Sequence, residues 1–213
     1  MTNFIPIFPL NIVVYPGEDA NLHIFEPRYK QLIAECVELK KNFGIPSVIN
    51  EKMGELGTVM EIKEVVKMYD NGEMDIKSKG LNVFRILETI PSVPDKLYSG
   101  AIVKHMVTED DGNKELMQKL LVLIRQLHEL LHVTKTFARP DEQLTSYDVA
   151  HHVGLSLEEE YELLGLTKEV QRQEYLRRHL TKVIPVVKEM ETLKERVKLN
   201  GHFKNLAGFQ FNL

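Results

Sequence analysis

Three short apolar blocks, each interrupted by proline, open the chain: residues 5–10, 14–17 and 22–29. Prolines at positions 6, 9 and 16 cannot donate backbone hydrogen bonds, so they suit sheet edges and turns better than a central strand or a helix. Pro27 suits the first turn of a helix, where Glu26 lies beside the positive helix end. The pattern therefore predicts edge strands and turns, followed by a helix.

The predicted helix runs from about 27 to 40, because one face collects five apolar or small side chains at helical spacing. These are Tyr29, Leu32, Ile33, Cys36 and Val37. Residues 59–65 then alternate partly between apolar and charged side chains, as strands do. Asn71-Gly72 after them is a strong signal for a type I′ hairpin, and Met74 and Ile76 resume the apolar face. Residues 1–107 are therefore predicted to form a compact, mostly β unit.

The composition changes at residues 108–113, a polar run with turn formers that predicts a domain boundary. A helical period follows from Lys114 to about Lys135, and its apolar face contains Leu116, Leu120, Leu123, Ile124, Leu127 and Leu131. Residues 114–185 are predicted to form a bundle of four or five helices.

Later helix ends are marked by capping residues. Ser146 is predicted to cap a short helix that Gly154 closes, and Ser156 forms a capping box with Glu159 for a helix that ends at Gly165. Thr167 is predicted to cap a longer helix that reaches about Ile184. Pro185 should end or kink that helix.

The segment 186–213 is predicted to be an amphipathic helix with an apolar carboxyl tail. Val186, Met190, Leu193 and Val197 recur at spacings of four, three and four residues, and Asn200-Gly201 is a stop signal. A second apolar set follows: Phe203, Leu206, Phe209, Phe211 and Leu213. Both apolar sets need to be buried against another surface. Folding back onto the same chain is favoured over self-association, because Gly201 permits the chain to reverse its direction.

The order of the opening motifs, Pro9-Leu10, Pro16-Gly17 and Phe25-Glu26-Pro27-Arg28-Tyr29, resembles the amino-terminal substrate-recognition domain of Lon-type ATP-dependent proteases. The resemblance continues through Phe43-Gly44-Ile45, Gly57-Thr58, the stretch from Asn71-Gly72 to Gly80, and 98–103, then through 150–155, 161–164 and 173–180. It covers roughly residues 4–185. One position departs, since the family usually has an arginine where Val83 stands here, and Arg85 lies two residues later.

The resemblance implies an α+β fold, in which a pseudobarrel related to RNA-binding PUA domains precedes the helical half. It also implies a non-catalytic module that binds unfolded or extended polypeptides, without a cofactor, with a separate ATPase or protease as a further expected partner. The chain shows no phosphate-binding loop, and 213 residues leave no room for the family's ATPase and protease modules. We therefore expect a stand-alone recognition domain. The motif residues are interpreted as structural: Pro9, Leu10, Pro16, Gly17, Phe25, Glu26, Pro27, Arg28, Tyr29, Gly57 and Gly80.

Composition indicates a folded soluble protein, with 43% hydrophobic and 27% charged residues. The single cysteine, Cys36, is consistent with a packed thiol in a reducing compartment. The amino terminus has the pattern of neither a signal peptide nor a membrane span. We therefore expect a cytoplasmic protein without a membrane partner. A net charge of −4 argues against a nucleic-acid binder, because such proteins gain affinity by neutralising phosphates. Nucleic-acid or small-ligand binding on the PUA-like sheet is therefore kept as the alternative function. A basic cluster is interpreted as a solvated helix face: Arg172, Arg177, Arg178, His179 and Lys182.

His128-Glu129-Leu130-Leu131-His132 matches H-E-x-x-H, in which two histidines on one helix bind zinc and the glutamate acts as general base. The extended metzincin pattern is missing, because Lys135 and Ala138 occupy its glycine and third-histidine positions. The range 158–160 could still supply a third ligand, so a zinc hydrolase remains a third hypothesis. We interpret the pair as histidines at the edge of an apolar helix face and expect no metal.

Two other patterns are weaker. Ala150, Gly154 and Ser156 are spaced as in a helix-turn-helix, but three adjacent carboxylates at 158–160 would open the recognition helix and be repelled by DNA phosphates. His151 and His152 would point about 100° apart on a helix, which is poor geometry for shared ligation. Nucleic-acid binding is therefore not expected.

Overall fold

The computed structural model describes residues 2–206, and the side-chain environments of residues 3–198. Six strands and one helix come first: β1 (Thr2–Pro6), β2 (Asp19–Ile24), α1 (Pro27–Leu39), β3 (Phe43–Ile49), β4 (Lys52–Met68), β5 (Met74–Ile90) and β6 (Gly100–His105). Four α-helices follow in the described chain: α2 (Lys114–Leu130), α3 (Ser146–Val149), α4 (Leu157–Gly165) and α5 (Glu169–Leu206). Short 3-10 turns lie at Asp141–Gln143 and Ala150–His152. The predicted α+β class is confirmed.

The strands form one antiparallel sheet in the order β1-β6-β5-β4-β3, and β2 pairs separately with β5. Just after β1 the chain reaches β3, the strand at the opposite edge of the sheet, where Ile7 and Leu10 form parallel bridges to Gly44 and Ser47. Backbone bonds from Phe8 to Gly44 and from Leu10 to Pro46 strengthen that join. The sheet therefore closes on itself as the expected pseudobarrel, because one continuous segment pairs with both of its ends.

Helix α1 closes one side of this barrel through Tyr29, Leu32, Ile33 and Cys36, which are buried. Val37 is 43% exposed, so the prediction that it belongs to the apolar face is wrong. The helix ends at Leu39 because Lys40 turns to a left-handed conformation with φ 51°. Burial, together with the Glu35 carboxylate, raises the pKa of the Cys36 thiol to about 11, which keeps it protonated and packed.

The two tight hairpins differ from the sequence prediction. Asn71-Gly72 does lie between β4 and β5, but only Gly72 has a positive φ, of 77°, and the Tyr69 N–H donates to the Glu73 carbonyl across the loop. A type I′ turn requires positive φ at both central residues, so the predicted turn type there is wrong. That geometry occurs instead between β3 and β4, where Asn50 and Glu51 have φ of 48° and 63°.

Replacing Glu51 by glycine should stabilise the protein. A left-handed conformation costs a residue with a side chain about 1–2 kcal/mol, while glycine adds about 0.5–1 kcal/mol of backbone entropy to the unfolded chain. We expect the free energy of unfolding to rise by about 0.5–1 kcal/mol, measured by urea denaturation. Glu51→Ala is the matched control, because it removes the same side chain but keeps the strained backbone. An equal gain from alanine would contradict the conformational explanation.

Helix α2 is shorter than predicted. It ends at Leu130 rather than near Lys135, because Leu131 leaves the helical conformation and His132 has φ 54°. The predicted apolar face is correct at its centre but wrong at its edges, since Leu131 is 46% exposed and Leu116 and Leu123 are only partly buried. The buried face keeps Leu120, Ile124 and Leu127 from the prediction, but Met117, Leu121 and His128 complete it in place of Leu116, Leu123 and Leu131.

Two predicted caps are displaced by one or two residues. Thr145, not Ser146, is the residue before α3, and Thr145 and Asp148 form its capping box. Thr167 lies two residues before α5, whose first N–H groups donate to the Glu109 carbonyl and to an Asp111 carboxylate oxygen. The capping box of Ser156 and Glu159 on α4 is confirmed. The polar run 108–113 therefore caps α5, while the division into separate domains stays a prediction.

Helix α5 continues through Pro185 and Gly201, so Gly201 does not end it as predicted. Of the two outcomes predicted for Pro185, a helix end or a kink, the end does not occur. The apolar stripe beyond Pro185 has no cover within the described chain, because Val186, Met190, Leu193 and Val197 are each more than half exposed. Folding back at Gly201 is therefore not the observed arrangement up to Leu206. Phe209, Phe211 and Leu213 lie outside the described residues, as do the side chains of Phe203 and Leu206. None of the described helices has the length and apolar content needed to cross a membrane.

The largest apolar cluster joins the sheet to the helices. Val13, Tyr15, Leu56 and Val83 pack with the buried faces of α2, α4 and α5, including Leu120, Ile124, Leu163 and Leu176. Val83, the residue at the departure from the family pattern, is fully buried there. Arg85 is exposed and bonds Glu55 at 2.8 Å, so it does not take over a buried polar role.

A buried polar network holds α3 against the start of α5. Both carboxylate oxygens of Glu169 accept from Ser146, through its backbone N–H and its hydroxyl, each at 2.7 Å. Arg172 pairs with Glu169 at 2.8 Å and donates to the Leu166 carbonyl at 2.7 Å. Glu169 and Arg172 are only 2% and 4% exposed. The prediction that Arg172 belongs to a solvated basic face is therefore wrong.

Candidate functional site

A cleft of about 630 Å³ opens between the segment that leads into β2 and the helical half. One wall is formed by residues 11–14 and 18–22, and the other by the 3-10 turn after α3 together with α4. Ile12, Leu22 and Leu157 give the cleft apolar surface that remains partly accessible. Its charged lining consists of Glu18, Asp19, Asp148, Glu160, His151 and His152.

Two glycines among the family motif residues, Gly17 and Gly80, shape this wall. Gly17 has φ +87°, a conformation that glycine adopts without strain, and its N–H donates to the Gly80 carbonyl at 2.8 Å. Gly80 in turn donates to the Glu18 carbonyl at 2.8 Å, and a Cβ there would lie 2.3 Å from the Tyr15 carbonyl oxygen. The close backbone approach at Gly80 and the turn at Gly17 therefore set the start of β2.

Tyr15 links the two walls. Its fully buried ring stacks on Tyr147 with the centroids 4.9 Å apart, and its hydroxyl donates to the Glu160 carbonyl at 3.2 Å. Burial, reinforced by the Glu160 and Tyr147 side chains and by Glu18, raises the Tyr15 pKa far above its usual range. Tyr15 is therefore a neutral hydrogen-bond donor that fixes α4 to the sheet.

His151 makes a second, charged link across the same cleft. Its Nδ1 is 2.7 Å from a Glu160 carboxylate oxygen, and its Nε2 is 3.1 Å from one of Glu18. Burial opposes protonation of His151, but the hydrogen bonds from Glu160 and Glu18 outweigh it and raise the pKa to about 9. At neutral pH an imidazolium therefore joins the loop before β2 to α4. Apart from the two adjacent histidines, no sequence pattern indicates this role.

The His151 link should make stability depend on pH. The raised pKa stabilises the folded state below the unfolded value of about 6.5, and this contribution is lost as the pH rises through about 9. The full shift corresponds to about 3 kcal/mol, which solvent screening of a side chain that is 30% exposed reduces to roughly 1–2 kcal/mol. Between these pH values the wild type should therefore lose that much more stability than His151→Gln. Urea unfolding at intervals of pH measures this difference, and parallel curves for the two proteins would refute it.

The other motif residues lie away from the cleft, except Pro16, which lines it. Pro9 and Leu10 belong to the segment that closes the barrel, where the Leu10 N–H donates to the Pro46 carbonyl. A Cβ on Gly57 would lie 2.4 Å from the Ile45 carbonyl oxygen, so only glycine fits between β4 and β3 at this point.

The motif at 25–29 forms the junction into α1. Glu26 precedes the helix and Pro27 begins it, while Arg28 donates to a Glu26 carboxylate oxygen at 2.9 Å and lies over the Tyr29 ring at 4.5 Å. The Tyr29 ring stacks on Phe8 at 3.9 Å. Phe25 is 58% exposed. These contacts hold the strand-to-helix junction.

The H-E-x-x-H segment does not have the geometry that its sequence suggests. His128 lies in the last turn of α2 and its Nε2 donates to the His152 carbonyl at 2.8 Å, whereas His132 lies beyond the helix end. Glu158–Glu160 lie on α4, where Glu160 contacts His151 instead. Among residues 2–206, no three His, Cys, Asp or Glu side chains are grouped so that they could hold a metal ion.

The helix-turn-helix pattern also has another explanation. Helix α4 packs against the sheet, where the Tyr161 hydroxyl accepts from the Leu56 N–H at 2.9 Å. Gly54 leaves the space for that ring, since a Cβ there would lie 2.5 Å from the hydroxyl oxygen. The face of α4 that carries Tyr161 is therefore committed to the protein interior.

Solved structures of similar fold come from Lon proteins. The crystal structure of the Lon N-terminal domain protein from Xanthomonas campestris has a TM-score of 0.63 and 24% sequence identity, covering 83% of this chain and 98% of that one. The N-terminal domain of the Mycobacterium avium complex Lon protease has a TM-score of 0.59 and 13% identity, covering 84% of this chain and 98% of that one. At these identities the likeness is one of fold.

The family itself is shown by the sequence. The model of the ATP-dependent protease La (LON) substrate-binding domain matches residues 5–182, which include the opening motifs, the closed sheet, the cleft and most of the helical half. This agrees with the resemblance based on the spaced proline and glycine motifs. The chain belongs to the family of the ATP-dependent protease La (Lon) substrate-binding domain.

Proposed function

We propose that the protein is a non-catalytic module that binds exposed apolar or extended segments of unfolded polypeptides. The observation that carries this proposal is the cleft of about 630 Å³ beside β2, with its partly exposed apolar lining. Such concave, largely apolar sites with a few polar groups are typical of binding sites. The family adds support, because it is the substrate-binding domain of an ATP-dependent protease.

The cleft's charges favour a protein partner over a nucleic acid. Four carboxylates line it, from Glu18, Asp19, Asp148 and Glu160, and they outnumber its basic groups. A phosphate backbone would be repelled there. We further propose that the protein acts in the cytoplasm and delivers bound chains to a separate ATPase or protease, as its family suggests.

The proposal predicts selective binding of unfolded protein. Reduced, carbamidomethylated lactalbumin, which stays unfolded and gains no charge from the blocked thiols, should bind more tightly than the folded, disulfide-bonded form. The salt dependence should be weak, because apolar burial and backbone hydrogen bonds supply most of the affinity. Fluorescence anisotropy with labelled lactalbumin at low and high salt measures both points. Equal affinity for the two forms would overturn the proposal.

The same preparation should neither hydrolyse ATP nor degrade casein. Measured ATPase or caseinolytic activity that co-purifies with the protein and is lost in His128→Ala would favour the zinc-hydrolase hypothesis instead. Bound zinc, measured by elemental analysis, would point the same way.

A further inference from the structure

We propose that the cleft binds its polypeptide by strand addition, in which an extended segment pairs with the outer edge of β2. Basic residues of this segment face the carboxylates of Glu18, Asp19, Asp148 and Glu160 at the cleft. This inference rests on the proposed function and specifies how the same site recognises a chain. It also names the partner's chemistry: an extended segment that alternates apolar and basic side chains.

The first support is the direction of the β2 backbone. The Glu18 carbonyl accepts from the Gly80 N–H at 2.8 Å, and the Ala20 carbonyl accepts from the Ser78 hydroxyl at 3.0 Å, so both face β5. In an antiparallel pair successive residues alternate in the direction of their N–H and C=O groups. The backbone groups of Asp19, Asn21 and His23 therefore point away from β5.

These outward groups are available for pairing. Within residues 2–206, β2 is paired with β5 alone, and no side chain bonds the backbone of Asp19, Asn21 or His23. All three residues are exposed. An edge with unpaired N–H and C=O groups is a template for an added strand, a recurring mode of peptide recognition.

The protein protects another open edge but not this one. Strand β4 is paired with β3 as far as Met60 and then continues without β3 beside it. This extension carries Glu61, Lys63, Glu64 and Lys67. Charged residues, lysine above all, discourage edge-to-edge pairing. Strand β2 contains neither lysine nor proline.

The surroundings of β2 suit alternating side chains. The cleft takes in residues 19–22, and a second depression of about 300 Å³ adjoins residues 21–23 and is lined by Val66 and Ile76. A segment paired along β2 would therefore pass two apolar depressions. Because side chains of a strand alternate between its faces, every second residue can be apolar.

The charges beside this edge are mainly negative. Glu18, Asp19, Asp148 and Glu160 lie at the cleft, while Glu73 and Asp75 flank His23. The basic groups nearby are Lys77, Lys79 opposite Asp19, Lys67 opposite Asp75, Arg139 at 3.5 Å from Asp148, and histidines 23, 151 and 152, so the six carboxylates outnumber the four lysine and arginine side chains. Lysine or arginine in the bound segment would complement this excess of carboxylates. Such complementarity contributes more to the specificity for a partner than to the binding affinity.

Substitution at Asn21 tests the backbone pairing. Asn21→Pro removes an outward N–H without removing a bond to β5, whereas Asn21→Ala removes the side chain and keeps the donor. The probe is a short fluorescein-labelled peptide of alternating valine and lysine, followed by anisotropy. We expect Asn21→Ala to bind as the wild type does, and Asn21→Pro to bind about tenfold more weakly, the loss expected for one hydrogen bond. Equal binding by a folded Asn21→Pro variant would overturn strand addition.

Modified probes keep the test valid if Asn21→Pro does not fold. One probe is N-methylated at its valines and a second at its lysines, so that each blocks the backbone donors of one edge of the strand. One of the two should bind the wild type more weakly by a similar factor. Alternating valine and glutamate should bind worse than valine and lysine, and equal binding would overturn the charge preference. If unfolded lactalbumin binds but N-methylation has no effect, strand addition is wrong and the proposed function stands. If unfolded lactalbumin does not bind, both fail.

Discussion

Replacing Glu169 by leucine is expected to destabilise the protein by about 3–5 kcal/mol, because it leaves the buried guanidinium of Arg172 without its counter-charge. It also removes the acceptor of the Ser146 backbone N–H, at the start of α3. Urea unfolding followed by circular dichroism measures the loss. This is a large fraction of the stability of an ordinary domain, so the variant should unfold at a much lower urea concentration than the wild type.

A second substitution separates the buried charge from the rest of the network. Adding Arg172→Met to Glu169→Leu should recover part of the stability, since no uncompensated charge then remains inside. The Ser146 N–H still lacks an acceptor, which accounts for about 1–3 kcal/mol that is not recovered. Glu174→Leu is the matched control on the same helix, because Glu174 pairs with Arg177 at the same spacing but in contact with solvent. A loss at Glu169 as small as at Glu174 would show that burial of the pair is unimportant.

Phe84→Ala should cost about 3–5 kcal/mol, because the ring is fully buried against Gly44 of β3 and Gly57 of β4. Two glycines make room for it, as a Cβ on Gly44 or Gly57 would lie 2.9 Å or 2.6 Å from ring carbons. In the wild type, Gly44→Ala should therefore cost about 1–3 kcal/mol through overpacking.

The two glycines should behave differently once the ring is gone. After Phe84→Ala, a Cβ on Gly44 meets only the Ile5 side chain at 3.5 Å, so Gly44→Ala should become nearly neutral. Gly57→Ala should stay costly, because its Cβ would still lie 2.4 Å from the Ile45 carbonyl oxygen. Double-mutant cycles from urea unfolding provide both values. An unchanged cost of Gly44→Ala in the two backgrounds would contradict this packing.

The sequence predicted the parts of the fold that depend on local chemistry. The spaced prolines and glycines marked the closing segment, the turn before β2 and the start of α1, and the capping box on α4 was correct. Local sequence signals failed at positions where contacts with distant parts of the chain determine the backbone conformation. Asn71-Gly72 forms a wider loop, and α5 passes through Pro185, positions at which local preference alone favoured a tighter turn and a break.

The candidate site was harder to predict, because its residues come together only in the folded chain. The contacts of Tyr15 with Glu160 and of Glu18 with His151 each join residues more than a hundred positions apart, and no motif links the two regions. The buried pair of Glu169 and Arg172 looked like ordinary surface charges at helical spacing. The H-E-x-x-H segment showed the converse, since a strong local pattern lost its geometry when α2 ended at Leu130.

The closed sheet has a consequence for the order of events during synthesis. Strand β1 emerges first, yet its partner is β6, where Thr2 pairs with Lys104. At about 5–20 residues per second, a ribosome needs roughly 5–20 s to make the intervening chain. The hairpins of β3, β4 and β5 join near neighbours and can form during that interval, while the amino-terminal strand remains unpaired. Strand β1 therefore stays unpaired on the nascent chain until residues 100–105 have been made, and during this interval its backbone is open to pairing with other chains.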